Sequence, residues 1–332
     1  VITESQFKPA WWLGNAHSQT IYPTIARSIR FVIDKSERIE LADGDFLQLS
    51  WMTKGVPQNA PVVVLLHGLG GNLNSTYAAG LMQSFNKAGW RAVMMHFRGG
   101  GSKPNRLPRI YHSGDTSDFS HFLNILADRE PDVPKAAVGI SLGGNVLLKW
   151  LGEAGEQNLI QTAVAVSVPF KLNIVAEKID KGFCRLYQAY LLKKLKKLVV
   201  RKQQIYADQW EDISSRLQQS NCFRSFDENI TAPLHGFSSA NDYYAKASSL
   251  PYLSKIATET LIIHARDDPF MTTEVIPSNH ELSDKVTLEL SEKGGHVGFI
   301  SGSMPGLPVY WLEERIPEYI QSVFEAPMKK PK

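Results

Sequence analysis

Cysteine is almost missing from this chain: only Cys184 and Cys222 occur in 332 residues. Two thiols in so long a chain make neither a disulfide framework nor a structural zinc site, and the reducing cytoplasm is the expected compartment. A surplus of charge is missing too, since 36 basic and 33 acidic residues leave a formal +3. That balance is too mild for nucleic acid to be the main partner and directs attention to a small-molecule or lipid partner. Long hydrophobic runs are also absent. The longest, PVVVLLHGLGG and RAVMMHF, fall well short of the roughly 20 apolar residues that span a bilayer. The first segment, VITESQFKPAWWLGN, lacks the charged start, apolar middle and cleavage site of a secretory signal, although the missing initial Met leaves trimming open. The expectation is a soluble intracellular protein.

What the chain does contain is an alternation of buried strands and amphipathic helices. Residues 38–52 read as a hairpin turning at Ala42-Asp43-Gly44-Asp45. Residues 62–67, 92–96, 136–140, 163–168, 261–264 and 286–290 are short, nearly continuous apolar runs, the signature of strands covered on both faces. Between and after them, residues 77–88, 115–128, 145–153 and 310–324 have helical spacing. This order predicts an α/β fold, a mostly parallel central sheet flanked by helices, forming one domain over residues 1–332. Residues 169–231 interrupt the alternation with a helical segment, read as a cap inserted in that domain. Its middle, AYLLKKLKKLVVRKQ, puts Leu191, Leu192, Leu195, Leu198 and Val199 on one side, with Lys193, Lys194, Lys196, Lys197, Arg201 and Lys202 largely elsewhere. The plain reading is a packed helix with a solvated basic face; the alternative is peripheral contact with an anionic membrane surface.

Three short patterns carry chemistry. At Gly139-Ile140-Ser141-Leu142-Gly143 a strand meets a helix through G-x-S-x-G, the strained turn that lifts a nucleophilic serine over the sheet edge. A serine hydroxyl needs a base to take its proton and donors for the oxyanion it creates. Leu142, following the serine, supplies one backbone donor. Leu69, within His67-Gly68-Leu69-Gly70-Gly71 after an earlier strand, is the candidate for the second. Further on, Ala265-Arg266-Asp267-Asp268-Pro269 follows a strand and offers an acid, Asp268 favoured over Asp267, which would cap the loop. His296, in a glycine-rich loop before the last helix, is the candidate base. Serine, acid and histidine thus occur in the order such a triad requires, with no cofactor and no metal.

The chain resembles the α/β-hydrolase superfamily, and within it the YheT-type branch that is similar to the eukaryotic abhydrolase-domain lipases. The likeness spans nearly the whole chain. It rests on the triad pattern together with residues 7–20 (FKPAWWLGNAHSQT), 67–71 (HGLGG), 96–102 (HFRGGGS), 111–114 (YHSG) and 237–244 (FSSANDYY). Glycines at 99–101 stand where relatives often place a cysteine, a change of local packing. The resemblance implies hydrolysis of carboxylic esters, with acylglycerol or phospholipid substrates in some relatives and ester-forming acyl transfer in others. The leading expectation is a serine carboxylesterase acting on short- to medium-chain esters; the alternatives are an acyltransferase using the same acyl-enzyme and a catalytically silent binding scaffold. His17, His96 and His112 read as structural rather than metal-binding, Arg98 as a tie between loops, and Trp11, Trp12 and Tyr22 as packing of the N-terminal arm.

Overall fold

The structure is a computed structural model that describes residues 1–29, 33–203, 205 and 212–326. The strands of its main sheet are β1 (Ile2–Glu4), β2 (Lys35–Glu40), β3 (Phe46–Met52), β4 (Val62–Leu66), β5 (Arg91–His96), β6 (Lys135–Ile140), β7 (Thr162–Val166), β8 (Glu259–Ala265) and β9 (Val286–Ser291). They form one sheet in the order β1-β9-β8-β7-β6-β4-β5-β3-β2. β2 pairs antiparallel with β3 and β3 antiparallel with β5, and every other pairing in this sheet is parallel. The pleat alternates side chains between two cores. Val62, Val64 and Leu66 of β4 join one, while Val63 and Leu65 join the other.

Helices α1 (Ala16–Ala26), α2 (Thr76–Lys87), α3 (Ser117–Arg129) and α4 (Leu142–Ala154) precede the inserted segment. Phe119 and Phe122 of α3 and Val146 and Leu147 of α4 cover the first face of the sheet. Leu81 and Phe85 of α2, with Ile316 and Ile320 of the last helix, cover the second. Both faces are therefore dry, as the unbroken apolar strands require. Between β7 and β8 lie α5 (Leu172–Ile179), α6 (Cys184–Gln203), α7 (Ile213–Gln219), α8 (Phe223–Phe226), a π-helical turn Asp227–Thr231, α9 (Ala232–His235) and α10 (Ala240–Ala247). Leu192, Leu195 and Val199 of α6 pack with Ile213, Leu217, Phe226 and Ile230 in a small core of their own. The chain closes with α11 (Leu312–Phe324).

Among the features that differ from the sequence reading are β1 and Lys202. β1 pairs with the far edge of the sheet, Ile2 opposite Leu288, although three residues with no periodicity give no strand signal. Lys202 does not share the solvated face: it is 1% exposed, and its Nζ donates to the carbonyls of Asn105 (2.7 Å) and Leu107. Its ammonium replaces water with peptide oxygens and ties α6 to the loop after β5. Burial lowers its pKa to about 8. Residues 204 and 206–211 of the expected insertion lie outside the described residues.

Candidate active site

The serine turn is built by what cannot fit beside it. A Cβ on Gly139 would lie 2.5 Å from the Gly143 carbonyl oxygen, and one on Gly143 would lie 2.4 Å from that of Leu66. Only glycine lets β6 turn into α4 so abruptly. Ser141 itself takes φ 53°, a costly conformation for a residue with a Cβ. Among the described residues the other non-glycines at positive φ are Ser167, Val297 and Phe299. All four lie in loops following β6, β7 and β9, so the backbone strain collects where ligand sites of open α/β sheets gather.

The structure brings Ser141, His296 and Asp268 into one hydrogen-bonded chain. His296 Nδ1 lies 2.7 Å from Asp268 Oδ2 and its Nε2 lies 3.0 Å from Ser141 Oγ. A carboxylate only accepts, so Nδ1 carries the ring proton and Nε2 presents its lone pair to the serine hydroxyl. Asp268 is buried, and its second oxygen accepts from the N–H of Phe270 at 2.9 Å. The ring of Phe270 then stacks on His296 at 4.0 Å, fixing the plane of the imidazole. Asp267 turns elsewhere: its Oδ1 accepts from the N–H of Gly295 at 2.9 Å and holds the histidine loop, and burial raises its pKa.

Leu69 and Leu142 also line the space beside Ser141. The loop carrying Leu69 is held by donors and acceptors on either side. Gly68 N–H donates to the hydroxyl of Tyr77 and Gly70 N–H to that of Tyr111, both at 2.8 Å. His67 donates from Nδ1 to the Gly68 carbonyl and accepts at Nε2 from Phe97 N–H, and burial drops its pKa to about 3, so it stays neutral. Among the described residues, neither Leu69 N–H nor Leu142 N–H has an acceptor. A Cβ on Gly68 would touch Ser141 Cβ at 3.4 Å, which places the loop against the serine.

Two spaces meet at this chain. One is walled by Leu172 and Val175 of α5, Leu195 of α6 and Phe223 and Phe226 of α8. The other, the wider one, runs between α1, the loop before α2, and Tyr187, Tyr190 and Lys194 of α6. Both are lined by Leu69, Ser141, Leu191, Phe270 and His296.

Several supporting residues carried no role in the sequence reading. Thr20 Oγ1 accepts from His296 N–H at 2.9 Å, and Ser167 Oγ accepts from Val297 N–H at 3.1 Å. Gln19, fully buried, donates to the carbonyls of Leu13 and Ile300 and accepts from Ile300 N–H at 2.6 Å. The N-terminal run 7–20 is thus the brace of the histidine loop. Asn145, in the first turn of α4, clamps the carbonyls of Ser113 and Ala247 and the N–H of Ser249. Arg98 ties loops as expected, with a two-pronged contact to Asp118 and a further bond to Asp43. Trp12 packs edge-on against Tyr22, and Trp11 lies exposed. His17, His96 and His112 hydrogen-bond to Tyr187, Ser50 and Gly114. Among the described residues no His, Cys, Asp and Glu side chains gather in a group able to hold a metal.

A serine on a glycine-flanked turn, ahead of a sheet whose later strands deliver an acid and then a histidine, is the plan of one fold family. Residues 61–303 match the α/β hydrolase fold, and the chain belongs to that family. Its relatives include the YheT protein of Escherichia coli strain K12, 44% identical over 98% of this chain and 95% of that one. The human phospholipase ABHD3 is 26% identical over 98% of this chain and 80% of its own length. The monoacylglycerol lipase of Saccharomyces cerevisiae is 30% identical over 72% and 55%. Among solved structures, the Pyrococcus furiosus esterase Pf2001 superposes with a TM-score of 0.56 at 18% identity, covering 90% of this chain and 97% of that one, a likeness of fold.

Proposed function

We propose that the protein is a serine hydrolase of the esterase and lipase kind, acting on short- to medium-chain carboxylic esters, acylglycerols among them, through an acyl-enzyme on Ser141. The observation that carries this reading is the unbroken Asp268–His296–Ser141 hydrogen-bonded chain where an apolar cavity meets an open cleft. Its relatives named as phospholipase and monoacylglycerol lipase support the reaction class.

In this mechanism His296 Nε2 takes the Ser141 proton as Oγ attacks the ester carbonyl, and Asp268 holds the imidazolium that forms. The oxyanion accepts from the N–H groups of Leu69 and Leu142, whose lack of other partners leaves them ready for it. Collapse expels the alcohol, protonated by His296, and water then repeats the sequence on the acyl-enzyme. The apolar cavity takes the acyl chain and the wider cleft the alcohol half. Residues 169–231 act as the cap that walls both. The test is mass spectrometry of intact protein treated with a fluorophosphonate: one adduct, mapped to Ser141 and blocked in Asp268→Asn, supports the reading. Product analysis with added alcohol separates hydrolysis from acyl transfer, and a failure to label with no turnover of any ester leaves a silent scaffold.

Peripheral membrane contact through α6 has an observation in its favour. Leu186 and Tyr190 of α6, with Phe183 in the turn just before it, are exposed on the lysine-bearing helix. Such a face suits an anionic bilayer, and liposome sedimentation that is lost at high salt tests it. Among the described residues no helix is long and apolar enough to cross a membrane.

A further inference from the structure

A third space, open to solvent, lies beside the catalytic cleft under the basic helix. Its floor is glycine backbone from two loops, at 70–71 and at 99–101. Its roof is α6, with Lys194, Lys197 and Arg201 on one side of the helix at i, i+3 and i+7. The bare floor is what lets the roof come down. A Cβ on Gly70 would lie 2.9 Å from Lys194 Cδ, and one on Gly99 would lie 3.2 Å from Leu198 Cδ1.

The charge around this crevice is one-sided. Among the described residues no Asp or Glu lines it, and none of the three cations is ion-paired with a carboxylate. Arg201 spends one N–H on the Ser102 carbonyl at 3.1 Å, and Lys194 lies 4.5 Å over the ring of Tyr190. Buried and half-buried arginines elsewhere are neutralised by carboxylates, as at Arg91–Glu130, Arg98–Asp118, Arg109–Asp115 and Arg315–Glu289. Three cations held over a concave, glycine-lined surface, without a carboxylate partner among the described residues, attract an anion that accepts hydrogen bonds in several directions, as a phosphoryl group does. Gly71, Asn72 and Lys194 line both this crevice and the cleft that reaches Ser141 and His296. An anion seated here is therefore a neighbour of the alcohol half of a bound ester.

We propose that the crevice between α6 and the two glycine loops is a phosphoryl-binding site formed by Lys194, Lys197 and Arg201. Its ligand is either the phosphate of an ester's alcohol half, an assignment that rests on the ester-hydrolase reading, or a free phosphate, which does not.

The experiment has two arms. Calorimetric titration of the purified protein with inorganic phosphate and with glycerol 3-phosphate is compared with Lys197→Gln and with the triple variant Lys194→Gln/Lys197→Gln/Arg201→Gln. The parent is expected to bind, more weakly as salt rises, the triple variant to lose about tenfold or more in affinity and the single variant a smaller factor. Lys197 is exposed, so the single variant decides the matter if the triple one fails to fold. In the second arm, kcat/KM is measured for a 1-acylglycerol and for its 3-phosphate. A ratio of phosphorylated to neutral ester that drops about tenfold in the triple variant assigns the site to the headgroup; an unchanged ratio with intact phosphate binding by the parent assigns it to free phosphate. A parent that binds neither anion, or variants that bind as the parent does, overturns the site. Absence of all ester turnover would contradict the ester-hydrolase reading while the titration still decides the crevice.

Discussion

Replacing Gln19 with Leu should disable the enzyme from a position that touches no substrate. The side chain is fully buried and makes three hydrogen bonds, two of them to Ile300 and one to the Leu13 carbonyl. The Ile300 carbonyl also accepts from Ala10 N–H at 2.9 Å and keeps that partner. The Ile300 N–H and the Leu13 carbonyl are left with none, at about 1–3 kcal/mol each, so the variant loses roughly 2–6 kcal/mol. For a chain of 332 residues the unfolding entropy is about 0.7 kcal/mol/K, and the melting temperature should fall by roughly 3–9 °C. Ile300 lies four residues from His296, in the loop that Gln19 holds. A displacement of that loop by even 1 Å is worth about a hundredfold in rate, so kcat should fall with KM little changed. Differential scanning calorimetry and ester kinetics on the same preparations test both halves. A Gln19→Leu protein with the parent's melting temperature and kcat would refute the claim that the N-terminal arm positions the base.

Asp268→Asn should lower kcat about 10⁴-fold by favouring the wrong histidine tautomer, whereas Asp267→Asn, which keeps an oxygen for Gly295, should stay within about tenfold; steady-state kinetics on a chromogenic ester separates them. Gly143→Ala drives a methyl into the Leu66 and His67 carbonyls and should cost about 1–3 kcal/mol along with most of the activity, read by thermal melting and turnover. Asp227 lines the apolar cavity, and burial pushes its carboxyl up to about 6 from an ordinary 3.8. The folded state therefore holds this proton more tightly than the unfolded chain. The group costs nothing below about pH 4, costs progressively more between pH 4 and 6, and bears its full burial penalty above that. Asp227→Asn should accordingly raise the melting temperature at pH 8 relative to the parent and lose that advantage at pH 4; an equal offset at both values contradicts this.

Much of the sheet was legible because strands covered on both faces must be apolar throughout, so residues 62–66 and 136–140 stand out without any partner being known. The serine turn was legible because glycine is obligatory on both sides of it. β1 was not, since a three-residue edge strand is held by backbone bonds to β9 that leave no pattern in side chains. Asp268 was favoured over Asp267 from its place in the loop after the strand; the partners of each, His296 for one and Gly295 for the other, come from geometry across the fold that local spacing does not encode. Lys202 was misplaced because a lysine in a basic run looks solvated, and only the tertiary fold brings two carbonyls to its ammonium. Gln19, Thr20 and Tyr111 sat in recognisable motifs, but bonds to backbone atoms hundreds or tens of residues away gave them no visible role.

The central claim is that Ser141 is the nucleophile, and hydrolysis of p-nitrophenyl esters of increasing acyl length by the intact protein and by Ser141→Ala tests it most directly. The account predicts turnover with an optimum at short to medium chains in the parent and none above background in the variant. Equal turnover by the two proteins would contradict it.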